Sequence, residues 1–284
     1  MHCLSSEIKK KSILIKKGEL IMTTKKVNLS ELNYTIEPKK VRRLRDEGMK
    51  KRLGDMLRLR EEYLKNPDDI HIVLQKGNTK TKDGKVYHTR TVSLIPIVDC
   101  PNCKECMKDC YDLRNVCFQK YVKNDRARNS ALHKANPAEY WRQVEEECKK
   151  ELDRLPENEF IFLRINIGGD LTDEDFEFVN NMVERNLRLL SQFFTKNDEG
   201  INQFMETHGD FNERICKLLS QWEGMECNNP YGIPEAHVLF DDGRTTADFS
   251  RPHYFCNGDC NNCMETNSGC KGLKRGEQII LSSH

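Results

Sequence analysis

Cysteines constrain this chain more than any other feature of its sequence. The 284 residues include 13 cysteines, and eight of them fall into two tight groups. The first cysteine group is Cys100, Cys103, Cys106 and Cys110, and the second is Cys256, Cys260, Cys263 and Cys270. Thiols spaced this closely, in a chain whose cysteines stay reduced, favour metal ligation over disulfide bonds. The other five are predicted to pack as small apolar residues: Cys3, Cys117, Cys148, Cys216 and Cys227.

The balance of charge limits the partners of the chain. Lysine and arginine number 46 against 45 aspartates and glutamates, so the net charge of +1 gives no overall attraction to nucleic acid. A nucleic-acid contact would need a local patch, for which the basic residues of 39–60 are the candidate. No apolar run approaches the roughly 18 residues of a membrane span, and residues 1–24 lack a signal peptide's apolar core. We expect a cytoplasmic protein with no membrane partner.

Strands and helices alternate in the second half of the chain. The predicted strands are 160–167, 187–195, 214–219 and 236–240, and the predicted helices are 172–185 and 200–208. This alternation predicts an α/β fold with a parallel sheet, which we expect to be a partial-barrel-like core with flanking helices. In such sheets, ligands bind at the carboxyl ends of the strands.

The first half of the chain is predicted to add helices and a hairpin. The expected elements are a helix over 38–64, a hairpin of strands 70–75 and 86–95, and helices over 113–133 and 137–155. Three regions follow: a flexible N-terminal extension over 1–37, an α/β core with the first cysteine group over 38–250, and a cysteine-rich C-terminal segment over 251–284 that packs on the core.

The first cysteine group has the spacing Cys-x2-Cys-x2-Cys-x3-Cys, which is the ligand run of bacterial ferredoxins. Such a loop can surround a 4Fe-4S cluster. In those ferredoxins the fourth cysteine serves a second cluster, so the spacing leaves open which thiols share a metal. Zinc is the alternative metal, because thiolates also bind zinc tetrahedrally. Zinc sites usually place two ligand pairs well apart in sequence, whereas this crowding favours iron and sulfur.

The second cysteine group begins with Cys-x3-Cys-x2-Cys over 256–263, which resembles the cluster motif of radical S-adenosylmethionine enzymes. Three ligands leave one iron open for that cofactor. Cys270 can supply a fourth thiolate, which would close the site as an auxiliary or structural centre. A zinc knuckle that ties down the C-terminal segment is the alternative.

Gly168, Gly169 and Asp170 end a predicted strand and form the candidate cofactor site. Glycines let a ligand approach the backbone, and a carboxylate can accept hydrogen bonds from an ammonium group. Radical S-adenosylmethionine enzymes carry a similar Gly-Gly-Glu that holds the amino group of the cofactor. The alternative is a strand-to-helix turn in which Asp170 lies near the start of the helix.

Residues 90–284 resemble the phage gene-product-88 family, which is found on phages and mobile elements. The matching residues are Cys100-Pro101, Cys106, Cys110-Tyr111, Arg164, Gly169-Asp170, Phe194-Thr195-Lys196, the second cysteine group and His284. A fainter resemblance is to phage proteins with a radical-S-adenosylmethionine-like core whose cysteines end in Cys-Tyr-Ala, where this chain has Asp112. The resemblance implies an iron-sulfur protein of a phage or mobile element.

The leading hypothesis is a radical-S-adenosylmethionine-like enzyme. A cluster at Cys100, Cys106 and Cys110, with Cys103 adjacent, would bind and reductively cleave the cofactor beside Gly169-Asp170. Its partners would be a reductant protein and an unidentified substrate, and the second cysteine group would hold an auxiliary cluster. The alternatives are a non-catalytic zinc or iron-sulfur protein that contacts nucleic acid through residues 39–60, and an electron carrier. No catalytic residue is assigned.

Overall fold

A computed structural model describes residues 25–32, 46–77, 83–103, 106–107, 110–115 and 120–282. Its helices are α1 (Asp46–Tyr63), α2 (Tyr111–Asn115), α3 (Lys120–Ala135), α4 (Pro137–Leu152), α5 (Asp173–Arg185), α6 (Asp198–His208), α7 (Cys260–Thr266) and α8 (Gly269–Gly272). Its strands are β1 (Lys25–Lys26), β2 (Gln75–Lys76), β3 (Tyr87–Val92), β4 (Phe160–Ile165), β5 (Leu189–Thr195), β6 (Ile215–Gln221), β7 (Glu235–Leu239), β8 (Arg244–Thr245), β9 (His253–Phe255) and β10 (Gln278–Ser282).

Eight of these strands form one open sheet in the order β2–β3–β4–β5–β6–β7–β10–β9. β2 is antiparallel to β3, and every other neighbouring pair is parallel. The predicted α/β fold with flanking helices is therefore confirmed, and its sheet is mixed and mostly parallel. Because β3, β4 and β5 are parallel neighbours, the segments that follow them leave the sheet at the same edge.

The first face of the sheet packs against helices. Ile161, Leu163 and Ile165 alternate along β4 and join one large buried cluster with residues of α4, α5 and α6. Buried Asp175 of α5 links three helices. Its carboxylate is hydrogen-bonded to the ring of His133 on α3 (2.8 Å) and accepts a hydrogen bond from the indole N–H of Trp141 on α4 (2.6 Å). These contacts fix the helical layer beneath the sheet.

The second face packs against the C-terminal segment. Phe162, Leu190 and Cys216, from three neighbouring strands, form a buried cluster with Met264 of α7. The same segment also supplies β9 and β10, and β10 inserts between β7 and β9. Residues 251–282 therefore cover part of the second face and extend the sheet.

The structure differs from the prediction at residues 70–75. Only Gln75–Lys76 forms a strand there, because the side-chain amide of Gln143 on α4 donates to Ile70 O (3.0 Å) and accepts from Ile72 N (2.9 Å). A helix side chain thus takes the place of a neighbouring strand. The short strands β9 and β10 were not predicted.

The described part of the predicted N-terminal extension contacts the core. Lys25–Lys26 pairs with β8, and Leu32 packs against Leu239, Ala247 and Ile280. Residues 1–24 and 33–37 lie outside the described residues, as do residues 38–45 of the predicted first helix.

Candidate metal centres

The first cysteine group lies in the loop that leaves the carboxyl end of β3, beside the turn that follows β4. The N–H of Leu94 donates to Gly168 O (2.9 Å), and the N–H of Asp170 donates to Asp99 O (2.7 Å). The Asp99 carboxylate in turn accepts the N–H of Ile95 (2.8 Å). Hydrogen bonds therefore hold the cysteine loop against the predicted cofactor site.

Three thiols of this loop lie close together. Cys103 N donates to Cys100 O (3.1 Å), and the Sγ atoms of Cys103 and Cys106 are 3.9 Å apart. Hydrogen bonds with Cys100 and then Cys106 raise the pKa of the Cys103 thiol, and burial adds to the effect. Cys106 is buried, whereas Cys100 and Cys103 are half-buried.

Lys196 places a positive charge beside these thiols. It follows the last residue of β5, and its carbonyl accepts a hydrogen bond from the Asn102 side chain (3.0 Å). Burial lowers the pKa of Lys196, but Asp170 and the thiols of Cys106, Cys100 and Cys110 outweigh it, so the pKa is raised. Burial raises the pKa of the Cys110 thiol to about 11, and the charge of Lys196 opposes that shift.

Asp170 is 1% exposed, and its carboxylate is already engaged. One oxygen accepts the N–H of Leu171 and the other accepts the N–H of Lys196, both at 2.8 Å. Burial raises the pKa of Asp170, and the charge of Lys196 opposes this shift. The carboxylate therefore joins the turn after β4 to the end of β5.

Gly168 and Gly169 allow a close approach between chain segments. Gly169 has φ +82°, and a Cβ there would lie 2.7 Å from Leu94 Cβ. A Cβ on Gly168 would clash with Asp112 Oδ2. In the described structure, the space over these glycines is used by the loop after β3 and by Asp112.

Asp112 forms a buried ion pair with Arg126 of α3 (2.9 Å). Burial raises the pKa of Asp112, and the guanidinium opposes the shift. Its Oδ2 has no hydrogen-bond partner in the described part of the chain. The residue that departs from the Cys-Tyr-Ala pattern thus anchors the end of the cysteine loop to a helix.

The second cysteine group is arranged around two short helices. Asp259 caps α7 by accepting the N–H of Asn262 (3.0 Å), and Asn267 ends α7 in a left-handed conformation. Gly269 is also left-handed, and a Cβ there would lie 2.6 Å from the sulfur of Cys263. The chain reverses tightly here and brings Cys270 back toward the earlier cysteines.

A fifth thiol, that of Cys216 on β6, lies near this group. Burial raises the pKa of the Cys270 thiol well above its ordinary value, and Cys256, Cys216, Cys260 and Cys263 add to the effect in that order. Cys216 was predicted to pack as a small apolar residue, and it does pack in a buried apolar cluster.

The predicted site residues fall into two separate sets. The first cysteine group meets Gly168–Asp170 at the carboxyl edge, whereas the second group lies over the second face. Asp99 and Lys196 join the first set although neither was predicted as a site residue. Lys196 could have been found, because it directly follows a predicted strand and so lies at the carboxyl edge.

The remaining cysteines and the basic residues 39–60 do not add to either cysteine group in the part of the chain that the structure describes. Cys148 is buried in the helix-side core and Cys227 packs at its margin, while Cys3 and Cys117 are outside the described residues. Of the basic residues 39–60, those up to 45 are also outside. The Arg60 side chain is 11% exposed and faces the Asp99 carboxylate (3.6 Å), so it is not free to meet phosphate.

Within the described ranges, which omit 104, 105, 108 and 109 of the first loop, no three His, Cys, Asp or Glu side chains are arranged to hold one metal ion. The same ranges contain no helix long and apolar enough to cross a membrane. Comparison with protein-family models, curated proteins and solved structures found no match to this chain. The chemistry of the residues is therefore the basis on which a function can be proposed.

Proposed function

We propose that this chain is an iron-sulfur protein of a phage or mobile element that resembles radical S-adenosylmethionine enzymes. One observation carries the proposal: the first cysteine loop and the Gly168–Asp170 turn meet at the carboxyl edge of the parallel sheet, joined by the hydrogen bond from Asp170 N to Asp99 O (2.7 Å). Ligands of parallel α/β sheets bind at this edge. A partial-barrel arrangement of the sheet belongs to the same proposal.

The donor set of the first loop suits a cluster. Four thiols fall within eleven residues, and three of them are already in mutual contact or hydrogen-bonded. Lys196 supplies a positive charge that would offset part of the negative charge of bound thiolates. A cluster bound there would supply the electron for reductive cleavage of S-adenosylmethionine.

Asp170 contributes to this site as a positioning residue. Its oxygens accept the N–H groups of Leu171 and Lys196, so it holds the end of β5 beside the cysteine loop. Gly168 and Gly169 let the loop after β3 and the Asp112 side chain approach the backbone after β4, so the cysteine loop lies directly against this turn. The second cysteine group would hold an auxiliary cluster, with zinc as the alternative metal.

Whether a cluster in the first site has an iron free to bind the cofactor depends on Cys103. It contacts Cys106 and hydrogen-bonds with Cys100, so it could close the cluster as a fourth ligand. Iron analysis and equilibrium dialysis with S-adenosylmethionine, both anaerobic, test this with wild type, Cys103→Ser and the control Cys227→Ser. We expect all three to keep their iron and to bind the cofactor.

Two results would contradict the proposal. If the iron-loaded wild type binds no cofactor at millimolar concentration, the chain is not a radical-S-adenosylmethionine-like enzyme, and a non-catalytic binding protein is favoured. If Cys103→Ser loses its iron, Cys103 is a fourth ligand and the first site is closed. Unchanged values for Cys227→Ser would show that losing a thiol elsewhere has no effect.

A further inference from the structure

The second face of the sheet carries an arginine, Arg164, that has no acidic partner among the residues that the structure describes. Ile161, Leu163 and Ile165 face the helices, so the alternation of β4 places Arg164 on the opposite face. Its Nε donates to Gln192 Oε1 on β5 (3.3 Å), its partner in the strand register. No carboxylate in the described part of the chain forms an ion pair with it.

Arg90, on the neighbouring strand, shows what an arginine with a structural role looks like here. Its guanidinium meets Asp83 at 2.9 Å and Glu151 at 2.7 Å. Arg164 is half-buried, yet the one side-chain partner it has within the described ranges is a neutral amide. A partly desolvated cation without an opposite charge is unfavourable unless a ligand supplies that charge.

Asn166 gives a second, independent observation at the same strand end. It lies two residues beyond Arg164, is 6% exposed, and has no hydrogen-bond partner within the described ranges for either amide atom. Its backbone is left-handed (φ +53°), which is uncommon for a residue with a side chain. Buried polar groups are nearly always paired, and strained backbone concentrates at functional sites.

These residues lie beside the first cysteine loop. The N–H of Asn166 donates to Val92 O (2.9 Å), and Val92 is the last residue of β3, from which the first cysteine loop departs. In the strand register Arg164 pairs with Thr91 on one side and Gln192 on the other, both neutral. The guanidinium therefore has no charged side chain beside it on either neighbouring strand, which suits a ligand with a single carboxylate.

We propose that Arg164 and Asn166 form a binding site for a small molecule that carries a carboxylate next to an amide or hydroxyl group. The guanidinium can bind the carboxylate through two parallel N–H donors. The Asn166 amide offers one acceptor and two donors to the neighbouring polar group. The site does not depend on which metal the cysteines hold.

Calorimetric titration of the full chain with N-acetylglycine tests the proposal, with N-acetylglycinamide as the matched uncharged probe. We expect saturable millimolar binding of the acid and none of the amide. Arg164→Gln should weaken binding by about tenfold or more, because a charge-assisted hydrogen bond is lost. The exposed control Arg142→Gln should bind as wild type does. Equal binding of both probes, or no binding by wild type, would overturn the site.

Asn166→Gly separates a ligand role from a folding role. Glycine tolerates the left-handed conformation and removes an unpaired buried amide, so we expect an unchanged or higher melting temperature together with weaker binding of N-acetylglycine. If the variant binds the acid as tightly as wild type does, Asn166 is not part of the site. A lower melting temperature would likewise show that the residue serves the fold.

Discussion

The two cysteine groups are built differently. The first lies on a loop at the carboxyl edge of the sheet, where backbone hydrogen bonds join it to the next turn and its thiols contact one another. The second is arranged in and around two short helices over the second face. Two of its thiols, Cys256 and Cys270, pack among apolar residues such as Leu218 and Ile279. The first arrangement suits a centre that receives a ligand, and the second suits a closed centre that holds the C-terminal segment on the sheet.

Replacing one cysteine of either group should have the largest effect, which is on the metal content of the protein. We expect Cys106→Ala and Cys260→Ala each to lose about one cluster's worth of metal, because ligands of one site act as a unit. Cys260→Ala should also lower the melting temperature more, since the second group packs against the sheet. Metal analysis and thermal unfolding measure both effects, with Cys227→Ser as the control. Equal metal content in all four proteins would show that these thiols are not ligands.

Low pH should destabilise the side of the sheet formed by β7, β10 and β9. Burial raises the pKa of Glu235 on β7, but hydrogen bonds from His237, Asn229 and Arg251 outweigh it and lower the pKa to about 2 from 4.5. Because the folded pKa is depressed, the stabilisation is complete above pH 4.5 and is lost as pH falls toward 2.

Urea unfolding at pH 6 and pH 3 tests this predicted loss of stability at low pH. Between these values wild type should lose about 1–2 kcal/mol more stability than Glu235→Gln, after allowance for partial solvent screening. The exposed Glu226→Gln serves as the control and should follow wild type. Equal losses for wild type and Glu235→Gln would show that the Glu235 carboxylate does not hold this end of the sheet.

Asp170→Asn should have an effect of similar size, centred on the first cysteine group. An asparagine has an NH2 group in place of one of the two carboxylate oxygens, so the N–H of Leu171 or of Lys196 loses its acceptor. The expected cost is about 1–3 kcal/mol in unfolding free energy. Hydrogen exchange of the Lys196 amide should also accelerate. The exposed Glu177→Gln is the matched control, and slow Lys196 exchange in Asp170→Asn would contradict the positioning role.

The parts of the fold predicted from sequence are those with strong local patterns. Apolar runs located β4 and β5 to within two residues, and the alternation of strand and helix predicted the parallel sheet. Residues 70–74 have the same apolar alternation, but the pattern cannot show that Gln143 takes the place of a neighbouring strand. β10 is equally apolar, yet its position between β7 and β9 depends on tertiary contacts.

The sequence predicts the cysteine thiols of the candidate site, but it does not predict the residues that position them. Cysteine spacing and the Gly-Gly-Asp turn are local signals. The supporting contacts instead join residues that are far apart in sequence. They are the hydrogen bond from Asp170 N–H to Asp99 O, the charge of Lys196 beside the first group, and the proximity of Cys216 to the second group. Arg164 and Asn166 became candidates only when the structure showed that, among the described residues, Arg164 has no acidic partner and the buried Asn166 amide is unpaired.

Metal analysis of the protein purified without oxygen tests the central claim most directly. Two groups of four thiols predict about eight irons and an equal amount of acid-labile sulfide per chain, together with the brown colour of two 4Fe-4S clusters. A colourless protein with two zinc ions per chain and no sulfide would contradict the account.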